Sequence, residues 1–291
     1  MRVDCEGCAG CCLDWRPLVS TPSDHEREGG REPLDDRYNL PTLRGMEVRA
    51  FLEAGYADAL TVRVFSPGED DDAVRIDGYD LAAIRGRPAF VVGLRAVPKP
   101  VAPFGADGRT WLPTCVFLDP ESLQCRIHGD DVYPETCATY PGTNLRLDRE
   151  TECERVEDAF GGDRLLDDEP PPDAPNPFAP GALGGSVFAH PSPDELEGAV
   201  AGVVGGDPGR ADLAPFIGVA AGSSPGTLAV DEDRRSRAES TLRSSDSWIG
   251  DAVADWFDRA GEPGSPVAGT CDDYDEANGA PGTPGWDRLG E

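Results

Sequence analysis

Lysine is almost missing from this sequence: Lys99 is the single one among 291 residues, and 26 basic side chains in all face 55 acidic ones. A chain of net charge −29 without a cluster of cations has no footprint for a phosphate backbone, so nucleic acid is not expected as a partner. Long apolar runs are missing as well. No stretch approaches the roughly 18 residues of a spanning helix. Residues 1 to 20 carry charges, cysteines and Pro17 where a signal peptide would hold an apolar region. The expectation is a cytoplasmic protein with no membrane partner.

The acids run along the whole chain rather than forming a tail. So much like charge repels itself at low ionic strength, whereas molar salt shortens the Debye length to about 3 Å. The composition resembles that of cytosolic proteins from salt-accumulating archaea, in which acids and arginine dominate. Glycine (35) and proline (28) are plentiful, which predicts less regular core than the length permits. Irregular chain needs other restraints, and a metal site joining remote segments would supply one.

Nine cysteines are present, an odd count that no scheme of disulfides satisfies completely. In a reducing compartment clustered cysteines are read as ligands. Cys5, Cys8, Cys11 and Cys12 form the pattern C-x2-C-x2-C-C. The C-x2-C spacing turns two sulfurs toward one ion, and soft thiolates select zinc, Cu(I) or iron-sulfur clusters. Cys5-x2-Cys8-x2-Cys11 is also how a bacterial ferredoxin cluster run opens. Neighbouring side chains of an extended pair point to opposite sides. Cys11 and Cys12 are therefore expected to serve a polynuclear site or two sites sharing the loop.

A second group follows far downstream: Cys115, Cys125 and Cys137, separated by nine and eleven residues, then Cys153. These spacings are too wide for a zinc-ribbon knuckle and fit ligands delivered from separate loops, with Asp119-Pro120, Pro134 and Pro141 shaping the backbone. His128, in C-x2-H with Cys125, is a candidate ligand or a hydrogen-bond donor to sulfur, beside the plain alternative of a packed or exposed side chain.

The combination of C-x2-C-x2-C-C with a later CVFLD…CRIH…P-x2-C…YP resembles the YkgJ-type cysteine-cluster family, described as zinc- or iron-chelating proteins. The resemblance spans residues 1 to 155 or so. It implies that Cys5, Cys8, Cys11, Cys12, Cys115, Cys125 and Cys137 belong to the cluster and that Cys153 completes a set of eight. Tyr133 and Ala138 stand where family members tend to have arginine.

Around these motifs the pattern predicts a helix from Pro41 to Gly55 and a strand over Thr61–Phe65. It then predicts a solvated turn at Asp70–Asp72, a short strand over Val74–Asp77 and one or two helical turns over Tyr79–Ile84. Ala89–Leu94 reads as a buried strand, and Asp107-Gly108 as a hairpin before Thr110–Leu112. Residues 161 to 192 read as a Pro/Gly/Asp-rich linker or draped segment. Ser192-Pro193-Asp194-Glu195 reads as a capped helix start running to about Val204. From Ser247 to Ala260, Trp248, Ile249, Ala252, Val253, Trp256 and Phe257 define an amphipathic helix docked on its own domain. Cys271 has no thiol near it in sequence and reads as structural or incidental.

The expected fold class is therefore α+β. It comprises a small, irregular, metal-stabilised cysteine-cluster domain over 1–160, a linker over 161–192 and an acidic helical extension over 193–291. The leading functional expectation is a metal-binding protein, its partner a metal ion and its cofactor zinc or iron, with a structural or metal-carrying site. An iron-sulfur redox protein or enzyme is the alternative, and a Cys/His hydrolase or transferase using His128 is a third class. Eight thiols would fill two zinc sites of four thiolates each.

Overall fold

The computed structural model describes residues 1–20, 31–172, 181–206, 208–260 and 272–286, a mixed α and β structure of short antiparallel strands and helices. Cys271 lies outside the described residues. Two compact units divide the chain, and they are interleaved in sequence. One comprises Met1–Pro22, Ala96–Pro177 and Trp248–Glu291; the other comprises Ser23–Arg95 and Phe178–Ser247. Among the described residues no helix is long and apolar enough to cross a membrane.

The Ser23–Arg95 and Phe178–Ser247 unit is organised around the strand Arg87–Leu94, buried from Pro88 to Leu94. It pairs antiparallel with Leu60–Val64, Thr42–Leu43, Tyr79–Ile84 and Phe188–Ala189, and Ala73–Ile76 extends the sheet beyond Tyr79–Ile84. Tyr79–Ile84 is thus a strand, not the helical turns its sequence suggested. The cause lies in its two ends. Asp77-Gly78 and Arg85-Gly86 both take positive φ (52° and 89°; 53° and 72°) in two-residue loops, the twist-matched connection of a tight hairpin. The predicted helix is shorter than expected and starts later, at Gly45–Glu53, because Pro41 leads instead into Thr42–Leu43, and Glu47 caps the Arg44 amide at 2.7 Å. Gly93 has no room for a side chain: a Cβ there would lie 2.6 Å from the Pro41 carbonyl.

Helix Arg210–Gly222 is buried continuously from Leu213 to Gly222. It packs on Glu232–Arg243, Gly45–Glu53 and Ala199–Val204. Phe216 meets Phe90 edge-on at 5.0 Å, and Phe90 in turn lies 5.6 Å from Phe188. Asp58 accepts from Arg210 Nε (2.7 Å), Ser245 Oγ (2.6 Å) and Ser247 Oγ (2.8 Å), tying both ends of the helical segment to one carboxylate. The helix expected after Ser192 is split. A 3-10 turn, Pro193–Leu196, is followed by Ala199–Val204, with Gly198 at φ 84° between them. The Asp70–Asp72 segment is the turn expected, with Asp71 held by Arg31 at 2.6 Å.

The other unit is built on a hairpin, Ala96–Val101 with Thr110–Cys115, in register from Ala96 opposite Cys115 to Val101 opposite Thr110. Helix Trp248–Ala260 covers it, burying Ile249, Ala252, Val253 and Trp256 of the predicted face, whereas Trp248 is half-buried and Phe257 is exposed; Trp111 and Trp256 meet edge to face at 6.2 Å. Inside the supposed linker, Leu165–Asp167 pairs with Arg2–Val3. This pairing brings the start of the chain back onto the segment that follows Cys153.

Candidate metal centre

All eight cysteines of the expected set lie in the hairpin-based unit, and none forms a disulfide. The first loop is shaped by local backbone geometry. Gly7 and Ala9 take positive φ (66° and 56°), the Cys8 amide donates to the Cys5 carbonyl at 3.1 Å, and Gly10–Cys12 closes as a 3-10 turn. Cys11 and Cys12 are therefore not extended. Their sulfurs lie 3.8 Å apart, about the edge of a tetrahedron of thiolates roughly 2.3 Å from its centre. The premise that sent these two side chains to opposite sides does not hold.

Three anchors fix this loop against the second group. Asp4 N donates to Arg164 O at 2.8 Å, Phe104 N to Gly7 O at 2.9 Å, and Asp14 N to Pro113 O at 2.8 Å. Helix Glu152–Phe160 supplies Cys153 in its first turn. Thr151 and Glu154 cap that turn reciprocally, Thr151 N donating to Glu154 Oε2 at 2.7 Å. The helix approaches the loop closely at Gly10, where a Cβ would sit 2.7 Å from Val156 Cγ2. Trp15 Nε1 donates to the buried Glu152 carboxylate at 3.1 Å and locks the same junction.

Cys115 ends the second hairpin strand and Cys125 returns from the turn, with Leu118 bridged to Cys125 and Arg126 N donating to Phe117 O at 2.9 Å. Backbone amides face several sulfurs: Phe117 and Leu118 toward Cys115, Ile127 toward Cys125, Gly10 toward Cys8. Amides aimed at sulfur in this way support thiolates, metal-bound or free.

The electrostatics show how the thiols gather. Desolvation pushes Cys5 up to about 12, with Cys11 and Cys8 adding to it; the residue as a whole stays exposed while neighbouring atoms crowd its sulfur. Cys153 is likewise pushed up to about 12 by burial, then by Cys11, Cys5 and Cys8. Cys125 rises to about 12 through burial and the nearby Cys115 and Cys11. Cys11 and Cys12 share one hydrogen bond in which either sulfur can donate; it raises Cys12 and lowers Cys11, and burial, Cys11, Cys115 and Cys137 raise Cys12 further. Lys99 pulls Cys115 down, and Arg164 pulls Cys5 and Cys8 down, yet burial outweighs both. The couplings converge on the Cys11–Cys12 step: Cys11 acts on Cys5, Cys8, Cys153, Cys115 and Cys125, and Cys115 and Cys137 act on Cys12. Among the described residues, no three cysteine, histidine or carboxylate side chains already stand as a ligand set around one point.

Two tyrosines belong to the site although no spacing announced them. Tyr133 is raised by burial and then by Cys137, Cys125, Cys12 and Cys11; Tyr140 is raised by burial and Cys11, and its oxygen accepts the Glu152 amide. Tyr133 stands at one of the two positions noted above as departures from the resembled pattern. His128 packs its ring 4.7 Å from that of Tyr133, and its buried Nδ1 has no hydrogen-bond partner among the described residues. Burial lowers its pKa, and no thiol contributes to the shift.

Fold and site together describe a mixed α and β protein with a gathered, unbridged set of thiols. Residues 1–287 match DUF7531, a family of unknown function, and the chain belongs to that family. No curated protein and no solved structure matches it.

Proposed function

We propose that the hairpin-based unit is a thiolate metal-binding module for zinc or iron, with a site that stabilises the fold or carries the ion. The observation that carries this reading is the convergence of eight cysteines from separate segments on one region, each within the electrostatic reach of others. Buried thiolates that repel one another are relieved by a cation, and thiols select a soft one. The sequence resemblance to zinc- or iron-chelating cysteine-cluster proteins supports the same conclusion. Eight thiols are enough for two centres of four thiolates each, and the 3.8 Å between the Cys11 and Cys12 sulfurs allows both to serve one of them. Loading replaces thiol protons with metal and draws the sulfurs inward.

The test is metal and acid-labile sulfide content, with an absorption spectrum, on protein purified without oxygen in high salt. The zinc reading predicts about two ions per chain and no visible band. Iron with matching sulfide and a broad band near roughly 400 nm would make the centre an iron-sulfur cluster and move the function to redox chemistry. Protein that binds no metal under these conditions overturns the proposal.

A further inference from the structure

Residues 279–286 return to the turn that carries Cys125. Arg126 Nη1 donates to the Pro281 carbonyl at 3.0 Å, Gly285 N to Gln124 Oε1 at 2.9 Å and Trp286 Nε1 to the Ser122 carbonyl at 3.1 Å. Cys125 therefore lies between two side chains, Gln124 and Arg126, that both meet the returning segment. The turn itself closes through its backbone: Asp119 N donates to Gln124 O at 2.9 Å, Leu123 N to Asp119 O at 3.0 Å and Arg126 N to Phe117 O at 2.9 Å.

Just before the segment, helix Asp272–Ala277 is anchored in depth. Asp275 is fully buried, its Oδ2 accepting from Lys99 Nζ at 2.9 Å and its Oδ1 from Trp256 Nε1 at 2.8 Å, with Arg126 Nε 3.5 Å from Oδ2. Withdrawing that carboxylate would take away the charge paired with Lys99, whose side chain is fully buried, so this anchor is costly to release. From Asn278 onward every described residue is half-buried or exposed. Gly279 stands between the two parts at a φ of 97°, the left-handed backbone on which a chain turns away where a helix ends.

The outer part is also imperfectly matched to the turn. Gln124 is 1% exposed and accepts from Gly285 through Oε1, but its buried Nε2 has no hydrogen-bond partner among the described residues. Closing the segment over the turn thus carries a desolvation cost that contact with water removes. A deep anchor, a glycine turn and a segment held by a few hydrogen bonds make a latch.

We propose that residues 279–286 open about Gly279 while Asp275 stays seated, and that the closed latch holds turn 119–126, and Cys125 with it, so that a bound ion leaves the thiol centre slowly. This rests on the metal-binding reading above. The latch acts through the position of the backbone on either side of Cys125.

Gly285→Pro combined with Trp286→Phe opens the latch in the full chain and leaves the turn, Asp275 and every cysteine in place. Proline removes the N–H that reaches Gln124 and cannot take the φ of 85°, and phenylalanine removes the indole donor while keeping a ring. In hydrogen exchange, the amides of Asp119, Leu123 and Arg126 are expected to exchange several-fold faster in this variant, while those of Arg87–Leu94 keep their protection. With Zn2+ as the probe and a coloured chelator as the acceptor, the variant is expected to bind as many ions as the wild type and to release them several-fold faster. Trp286→Phe alone is expected to act in the same direction with a smaller effect, and serves should the double variant not fold. Unchanged exchange at those amides overturns the latch, and faster exchange with an unchanged release rate overturns its hold on the thiol centre. If the wild-type protein takes up no Zn2+, the metal reading fails by itself, and amide exchange on the metal-free protein still decides the latch.

Discussion

The strand Arg87–Leu94 and the loop Cys5–Cys12 are each the centre of their own unit, and they do that work by different physics. The strand is buried along seven of its eight residues and is surrounded by aromatic and aliphatic side chains such as Phe90, Phe188 and Phe216. Its position follows from apolar area removed from water, at about 25 cal/mol per Å2. The loop has Cys5 exposed and Cys11 and Cys12 half-buried, and a few backbone bonds hold it to Pro113, Phe104 and Arg164. Apolar burial alone specifies the first centre. The second is left with thiols pushed up by burial and by one another, a condition that a bound cation relieves. The two units should therefore respond to different insults.

The largest effect expected is selective loss of the thiol-bearing unit on metal removal. Structural thiolate sites contribute on the order of 10 kcal/mol. Chelation in molar salt should strip hydrogen-exchange protection from the amides of Thr110–Cys115 and Glu152–Phe160 while Arg87–Leu94 keeps its own. Equal loss in both units would erase the distinction. The mirror experiment is Phe216→Ala, which opens a cavity beside Phe90 and should cost the strand-centred unit about 3–5 kcal/mol in denaturant titration, with metal content unchanged.

Acid should act on the strand-centred unit through a buried imidazole. His190 is fully buried, and desolvation and Arg235 depress its pKa to about 4 from the ordinary 6.5. The folded form therefore binds fewer protons than the unfolded one between these values. Stability is fully present above pH 6.5 and falls as pH drops toward 4, by about 3 kcal/mol at most. His190→Gln should flatten that dependence in the denaturation midpoint of this unit. The smallest effect is expected from Gly10→Ala. A Cβ 2.7 Å from Val156 Cγ2 forces the loop off helix Glu152–Phe160 at about 1–3 kcal/mol. Reduced metal stoichiometry, with the strand-centred unit melting normally, would sharpen the contrast.

Much of this contrast was readable from the residues. The buried run Ala89–Leu94 and the amphipathic period of Trp248–Ala260 carried their structures plainly, and the eight thiols singled out by pattern and resemblance fall in one unit. Other parts left no periodic signal. Helix Arg210–Gly222 is apolar on every side and contains Pro215, so neither its period nor its composition announces a helix. Ala96–Val101 hides as a strand because Pro98 and Pro100 interrupt it, although alternate positions of a hairpin edge tolerate proline. The Cys11–Cys12 turn depends on the left-handed backbone of Ala9, which alanine rarely adopts. Tyr133, Tyr140 and Lys99 reach the site through tertiary placement, a relation that sequence spacing does not encode.

The interleaving of the two units also fixes an order of events at the ribosome. The strand-centred unit has all of its chain once Ser247 has been made, whereas the other still awaits Trp248–Glu291. By then the eight thiols from Cys5 to Cys153 have been made, but the helix bearing Trp256 and the carboxylate of Asp275 that accepts from Lys99 have not. A nascent chain thus passes through an interval in which the hairpin is present without the helix that packs on it.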